Sequence, residues 1–312
     1  MSVLKDPAPS AADLARVIGQ HPAEYVLIGI PEDIGIRAND EESASGGSWV
    51  PFLRNFLNIQ SNDFLEGDNI LVLGFFDFRE LHQLIEANAQ GADERLEAYR
   101  HAVHTIDEEV EPLIKTLTAA GKIPIVIGSG HNNSYPLIKG AAKGLHKAGL
   151  IPLAQVNCVN LSPHTGFSPI EGRHGANGLR YAEEDGYLEK YCVIGVREDG
   201  LQQNVWLDFV NNPFLDLITY EDLFVLEKRS FPQSVAHATA FTEDNYIGLE
   251  LDLDGGISSL QARQYVTFAA TDSKIAYLHI CEGNAAPAGN HTGHGSAHLI
   301  SAIVSDFIKA RD

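Results

Sequence analysis

Three segments of the chain gather residue types that can bind a ligand, move a proton or hold a metal ion. The first is Gly128-Ser129-Gly130-His131-Asn132-Asn133-Ser134. It follows a short apolar run, and its glycines let the backbone turn sharply and present His131 at the end of that run. His131 reads as a metal ligand or a general base. The same residues also read as a helix-entry turn capped by Asn132 or Asn133, with His131 incidental. The second segment holds Ser162-Pro163-His164-Thr165-Gly166 and then Glu171-Gly172-Arg173-His174-Gly175-Ala176-Asn177. Arg173 could pair with a substrate carboxylate, Asn177 could offer an amide, and His174 could shuttle a proton. A solvated loop is the plainer reading. The third is Tyr246-Ile247-Gly248-Leu249-Glu250-Leu251-Asp252-Leu253-Asp254. Period-two alternation puts Glu250, Asp252 and Asp254 on one face of a strand and leucines on the other. Carboxylates on a buried strand are costly unless a metal ion or partner neutralises them, and Mn2+ accepts a mixture of carboxylate and imidazole ligands. An exposed strand end with solvated charges is the alternative.

Elements of a particular kind must position these segments. Short β-rich runs over 25–30, 69–75, 123–127, 151–157, 191–196, 246–252 and 274–280 predict strands, several apolar almost throughout. Strands covered on both faces by helices have that composition. Between them lie amphipathic patterns over 95–120, 133–145, 233–241, 261–268 and 296–309. In the first of these, Pro112 should kink or divide the helix. Strand and helix in alternation predict a three-layer α/β/α fold with a mostly parallel, doubly wound sheet of seven or eight strands. With neither linker nor repeat, residues 1–312 read as a single domain. The irregular stretches 37–48, 162–180 and 283–295 each follow a strand, where open α/β sheets place their ligands.

Composition bounds the partners. The chain has 22 Lys and Arg against 42 Asp and Glu, a net charge of −20. Such a surface repels phosphate backbones and anionic lipid heads, so neither nucleic acid nor membrane is an expected partner. Cys158, Cys192 and Cys281 lie in or beside apolar runs and read as buried reduced thiols. The first residues lack a signal-peptide pattern, and no apolar run approaches the ~20 residues of a membrane span, so a cytoplasmic protein is expected.

The three segments, in this order, resemble the arginase/agmatinase/formimidoylglutamase (ureohydrolase) family. Its motifs are Gly-Gly-x-His, Asp-x-His-x-Asp and Ser-x-Asp-x-Asp, each following a strand. Gly29-Ile30-Pro31-Glu32-Asp33-Ile34-Gly35 resembles the family's first strand and loop. Residues 171–177 resemble its substrate loop, especially in formimidoylglutamase-like members, and the likeness runs from about Tyr25 to the C-terminus. The resemblance implies an arginase-like fold, a homo-oligomer, and a pair of Mn2+ ions activating a hydroxide. It implies metal ligation by His131, His164, Glu250 and Asp252, contact of Glu282 with the substrate's amidine nitrogen, and substrate binding by Arg173 and Asn177.

The departures from the pattern are specific. Ser162 and Gly166 stand where the family has two ligand aspartates, and Glu250 replaces a third. A register shifted by two would instead use Asp252 and Asp254. One Mn2+, held by His164, Glu250 and Asp252, is therefore expected more than two, with none as the limit. His291, His294 and His298 follow Glu282, and one of them could replace a lost ligand, although solvated positions suit them better. Two functions follow from the resemblance. One is hydrolysis of a C–N bond in a small amidine or guanidine, with Glu282 and His174 in catalysis. The other is a metal-poor relative that binds a ligand or regulates a partner subunit without hydrolysis.

Overall fold

The computed structural model describes residues 2–3, 11–41, 47–253, 256–272, 274–283 and 295–311. Among these, nine strands form one sheet in the order β1-β3-β2-β4-β9-β8-β5-β6-β7, and every neighbouring pair is parallel. The strands are β1 (Ser2–Val3), β2 (Tyr25–Ile30), β3 (Ile70–Phe75), β4 (Ile123–Gly128), β5 (Val156–Leu161), β6 (Leu188–Val196), β7 (Leu215–Thr219), β8 (Ile247–Asp252) and β9 (Ile275–Cys281). Helices α1 (Ala11–Gln20), α2 (Ile34–Arg37), α4 (Arg79–Asn88) and α8 (Gln203–Asn211) accompany the helices that matter most for the site, α5 (Ala92–Ala119), α6 (Ser134–Lys147) and α7 (Gly178–Glu184). The opposite face carries α3 (Trp49–Phe56), α9 (Phe231–Thr242), α10 (Ser259–Ala269) and α11 (Gly295–Lys309).

Alternation along each strand feeds two separate cores, because successive side chains point to opposite faces. Ile28, Val126, Cys158 and Tyr277 pack under α5 and α6. Leu27, Ile125, Leu249, Leu251 and Ile280 pack against the helices of the other face. The expected doubly wound α/β sheet is thus observed, with two more short strands than the apolar runs showed. β7 escapes notice because it is a short edge strand that carries the half-buried Asp216.

Two local expectations need correction. The strand placed at 151–157 lies at Val156–Leu161. Pro152 lacks the N–H that a central strand needs, and the asparagines that masked the true strand are satisfied internally. Asn157 Nδ2 donates to Thr242 O at 2.8 Å, and Asn160 Nδ2 donates to the Tyr191 hydroxyl at 2.9 Å. Pro112 does not divide its helix, since α5 runs through it for 28 residues. The carbonyl it leaves without a donor belongs to exposed Glu108, where water can serve.

Helices α5 and α6 approach closely because α6 presents Gly140 and Gly144 to α5. A Cβ on Gly144 would lie 2.0 Å from Thr118 Oγ1 and 2.6 Å from Lys115 O. Gly144→Ala sets a helix-propensity gain of ~1 kcal/mol against overpacking of ~1–3 kcal/mol. The carbonyl contact cannot yield without moving a helix, so overpacking should win. Urea denaturation should show a net loss of up to about 2 kcal/mol; a gain in stability would mean that the helices are not seated this tightly.

Candidate functional site

The site is built on β8, in the middle of the sheet. Glu250 and Asp252 share a face with Gly248, and both carboxylates are fully buried. Burying a carboxylate costs several kcal/mol unless donors or cations surround it. Strand register supplies the donors, because Gly248 pairs with Tyr277 and Glu250 with His279. The Tyr277 hydroxyl donates to Glu250 Oε1 at 2.8 Å, and His279 Nδ1 lies 2.5 Å from Glu250 Oε2. Burial, reinforced by the neighbouring Glu250, pushes the Tyr277 phenol far above its ordinary range, so it remains a donor. Gly248 makes this possible: a Cβ there would lie 2.4 Å from the Tyr277 ring. One step along, the Ser162 hydroxyl donates to Asp252 Oδ2 at 3.0 Å and accepts from His164 N at 3.1 Å.

His131 opens the 3-10 turn His131–Asn133 between β4 and α6 and is 4% exposed. Its Nε2 is 3.7 Å from Glu250 Oε2 and its Nδ1 3.8 Å from Asp252 Oδ2, so the ring stands between the two carboxylates. Burial lowers its pKa, against the pull of Asp252 and Glu250. The turn is fixed from behind by Glu32, a buried carboxylate whose ordinary pKa is raised by burial. Glu32 Oε1 accepts from Asn133 Nδ2 at 2.7 Å, and Oε2 accepts from Ile34 N at 2.7 Å. It therefore joins the loops after β2 and β4.

A cavity of about 290 Å3 opens beside these residues, with His131, His164, Asp252 and Glu282 in its wall. Four of the residues singled out in the sequence thus meet at the C-terminal edge of the strands. Glu282 follows β9 with φ 53°, and its N–H donates to Ser129 O at 2.9 Å. His164 is exposed, and His298 is exposed on α11. Asp254, His291 and His294 lie outside the described residues.

The rest of the second segment is placed differently. Arg173 is 6% exposed and closes a bidentate pair with buried Asp107 of α5, at 2.8 and 3.1 Å. It also donates to Asn132 O at 2.9 Å and Asn177 Oδ1 at 3.1 Å, and its guanidinium lies over Tyr135 and Tyr181. Asn177 Nδ2 donates to Gly172 O and Pro169 O, so its amide is spent on the loop itself. His174 Nδ1 accepts from Ala176 N at 3.2 Å, and burial lowers the ring's pKa to about 4, which keeps it neutral at pH 7. None of these three side chains borders the cavity. They form a pin that ties the loop to α5 and to the backbone beside His131. Arg173→Met should cost about 3–5 kcal/mol in urea denaturation, because it strands the Asp107 charge. Adding Asp107→Leu should recover most of that loss. A single variant with native stability would show that the pin is dispensable.

Sequence reading missed Asp107, Glu32, Tyr277 and His279. Asp107 interrupts the apolar stripe of α5 between Val103 and Val110, which is a usable signal. The alternation Tyr277-x-His279 on β9 is another, since it matches that of Glu250-x-Asp252. Glu32 gives no local sign.

Two positions that the resemblance matched to ligand aspartates, 162 and 166, carry no carboxylate. Among the described residues, no three His, Cys, Asp or Glu side chains are arranged to hold one ion. Ser162 offers Asp252 a hydroxyl instead of a second carboxylate. Gly166 has φ 67°, and a Cβ there would lie 2.6 Å from Leu179 Cδ1. An aspartate at Gly166 would be strained in both backbone and packing.

No family model matches the chain. It is 24% identical over 241 residues to an arginase of Brevibacillus brevis, covering 73% of this chain and 74% of that protein. It is also 24% identical over 225 residues to a formimidoylglutamase of Corynebacterium efficiens, covering 65% and 67% of the two. Formimidoylglutamase of Bacillus subtilis superposes with a TM-score of 0.70 at 13% identity, over 94% of this chain and 88% of that one. A Trypanosoma cruzi formiminoglutamase with two Mn2+ ions gives 0.68 at 17% identity, over 91% and 93%. The fold is arginase-like. By this fold and by distant sequence similarity, the chain belongs to the arginase (ureohydrolase) superfamily.

Proposed function

We propose that this protein binds a small amidinium or guanidinium cation in the cleft at the ends of β8 and β9 and no longer depends on a Mn2+ pair. The observation that carries this reading is the hydrogen bond from Ser162 to Asp252, with its counterpart from Tyr277 and His279 to Glu250. These donors stabilise the buried carboxylates by hydrogen bonds from the chain itself, where a metal ion would do so by its charge. Asp252 and Glu282, both in the cavity wall, offer a planar cation acidic oxygens to accept its N–H groups. In this reading His131 faces the ligand, Glu282 meets its terminal nitrogens, and Arg173, His174 and Asn177 hold the loop rather than the ligand.

A second reading has one specific observation in its favour. The Nε2 atoms of His131 and His279 are buried with no hydrogen-bond partner among the described residues. Such atoms can serve a single ion, and the reading is then hydrolysis of the same cations with one Mn2+.

Calorimetric titration with butylguanidine in EDTA, paired with assays for urea, ammonia or formamide release in Mn2+, separates the two. Binding should persist in EDTA, with no turnover of guanidines or of formimidoylglutamate. Glu282→Gln should weaken binding about tenfold, or ~1.4 kcal/mol. Turnover by wild type within the ordinary enzymatic range of roughly 1–1,000 per second would overturn the binding-only reading.

A further inference from the structure

A second cavity lies at the opposite end of the sheet from the cleft. β4 and β9 pair over Ile125–Ile127 and Leu278–Ile280. Before that stretch, Ile123 of β4 and Ile275 and Ala276 of β9 line a cavity of about 190 Å3. Leu145 and Leu150, around the end of α6, extend its apolar wall, and Lys122, Arg311 and Glu24 are its charged residues. The two cations are the anomaly. The chain has 42 Asp and Glu for 22 Lys and Arg, so carboxylate partners are in excess. Yet Lys122 and Arg311, both half-buried, make no ion pair among the described residues. Lys122 Nζ donates to His21 O at 2.6 Å. Arg311 Nη1 donates to Ala270 O at 3.2 Å and to Asp272 O at 2.7 Å, just past the end of α10. These acceptors are carbonyl dipoles and leave both charges uncompensated. Arg311 Nε is buried and has no hydrogen-bond partner among the described residues. A buried N–H without an acceptor is rare and points to a group that supplies one. Glu24 is the one carboxylate in the wall, and its Oε2 accepts from Asn69 Nδ2 at 3.4 Å. Burial lowers the Lys122 pKa against the pull of Glu24, so an added anion would favour the charged ammonium.

We propose that this cavity binds a small monocarboxylate with an apolar body, its carboxylate taken by Lys122 and Arg311 and its carbon chain by Ile123, Leu145 and Ile275. A carboxylate accepts several N–H groups at once, which an ammonium and a guanidinium can offer together. Two cations against Glu24 leave one net positive charge in the wall, which suits a single negative charge on the ligand. The cavity is smaller than the ~300–1,000 Å3 of sites for drug-sized molecules, so the ligand has only a few carbons. The site shares no wall residue with the cleft and does not depend on what the cleft binds.

Calorimetric titration at low ionic strength with butanoate, butanamide and inorganic phosphate tests this. Butanoate should bind about tenfold tighter than butanamide, its uncharged counterpart of the same shape. It should also bind tighter than phosphate, which has no apolar body for the wall. Lys122→Gln and Arg311→Gln should each weaken butanoate binding about tenfold. Glu24→Gln, which removes the opposing charge, should tighten it about threefold, a gain that damage to the fold cannot produce. Butanamide binding as well as butanoate overturns the proposal, and so does butanoate binding that neither Lys122→Gln nor Arg311→Gln weakens. Phosphate binding tighter than butanoate overturns the ligand class.

Discussion

Two carboxylates with no exposed surface determine how the rest of this site is built. Glu250 and Asp252 sit side by side on a central parallel strand with helices over both faces. Their desolvation would cost the fold several kcal/mol each if they were left alone. Every neighbouring strand contributes to meeting that cost. β9 brings Tyr277 and His279 into register with Gly248 and Glu250, and the end of β5 brings Ser162 against Asp252. Gly248 has no side chain because the Tyr277 ring occupies that place. A hydroxyl, a phenol and imidazoles therefore surround the charges. A Trypanosoma cruzi formiminoglutamase of the same fold holds two Mn2+ ions.

The loops are organised by buried ion and amide contacts of their own. Glu32 joins the turn after β2 to the asparagines beside His131, and Arg173 joins the loop after β5 to α5. Arg173 also grips Asn132 O, so the two hubs converge on the short turn that presents His131. This leaves the cavity wall to residues with few internal duties, such as His164 and Glu41, both exposed. Rigidity lies behind the site and solvent access in front of it, as a small-molecule cleft requires.

Much of this was legible in the sequence, for a physical reason. Doubly covered strands must be apolar, so β2, β4, β8 and β9 announce themselves, and period-two spacing exposes the carboxylates of β8. The order of the three polar segments then locates the cleft. What stayed hidden depends on partners distant in sequence. Arg173, 66 residues from Asp107, looks like a ligand-binding cation until that partner is known. Asn157 and Asn160 look like loop residues until Thr242 and Tyr191 satisfy them, which displaced the expected strand by five residues. Ser162 reads as the loss of an aspartate, yet in space it is a donor to Asp252.

That last point is the centre of the account, and Ser162→Asp tests it most directly. Thermal unfolding of wild type and variant would be compared in EDTA and in excess Mn2+. Wild type should melt at the same temperature in both, since its carboxylates already have hydrogen-bond donors from within the chain. The variant, with a second carboxylate facing Asp252, should melt lower in EDTA and recover in Mn2+. An ion at ~100 times its dissociation constant returns ~2.7 kcal/mol, and each kcal/mol is ~2–4 °C for a large domain. A wild-type melting point that rises by roughly 5 °C or more with Mn2+ would mean that the native carboxylates wait for a metal. The hydrogen bonds from Ser162, Tyr277 and His279 would then not be what holds this site.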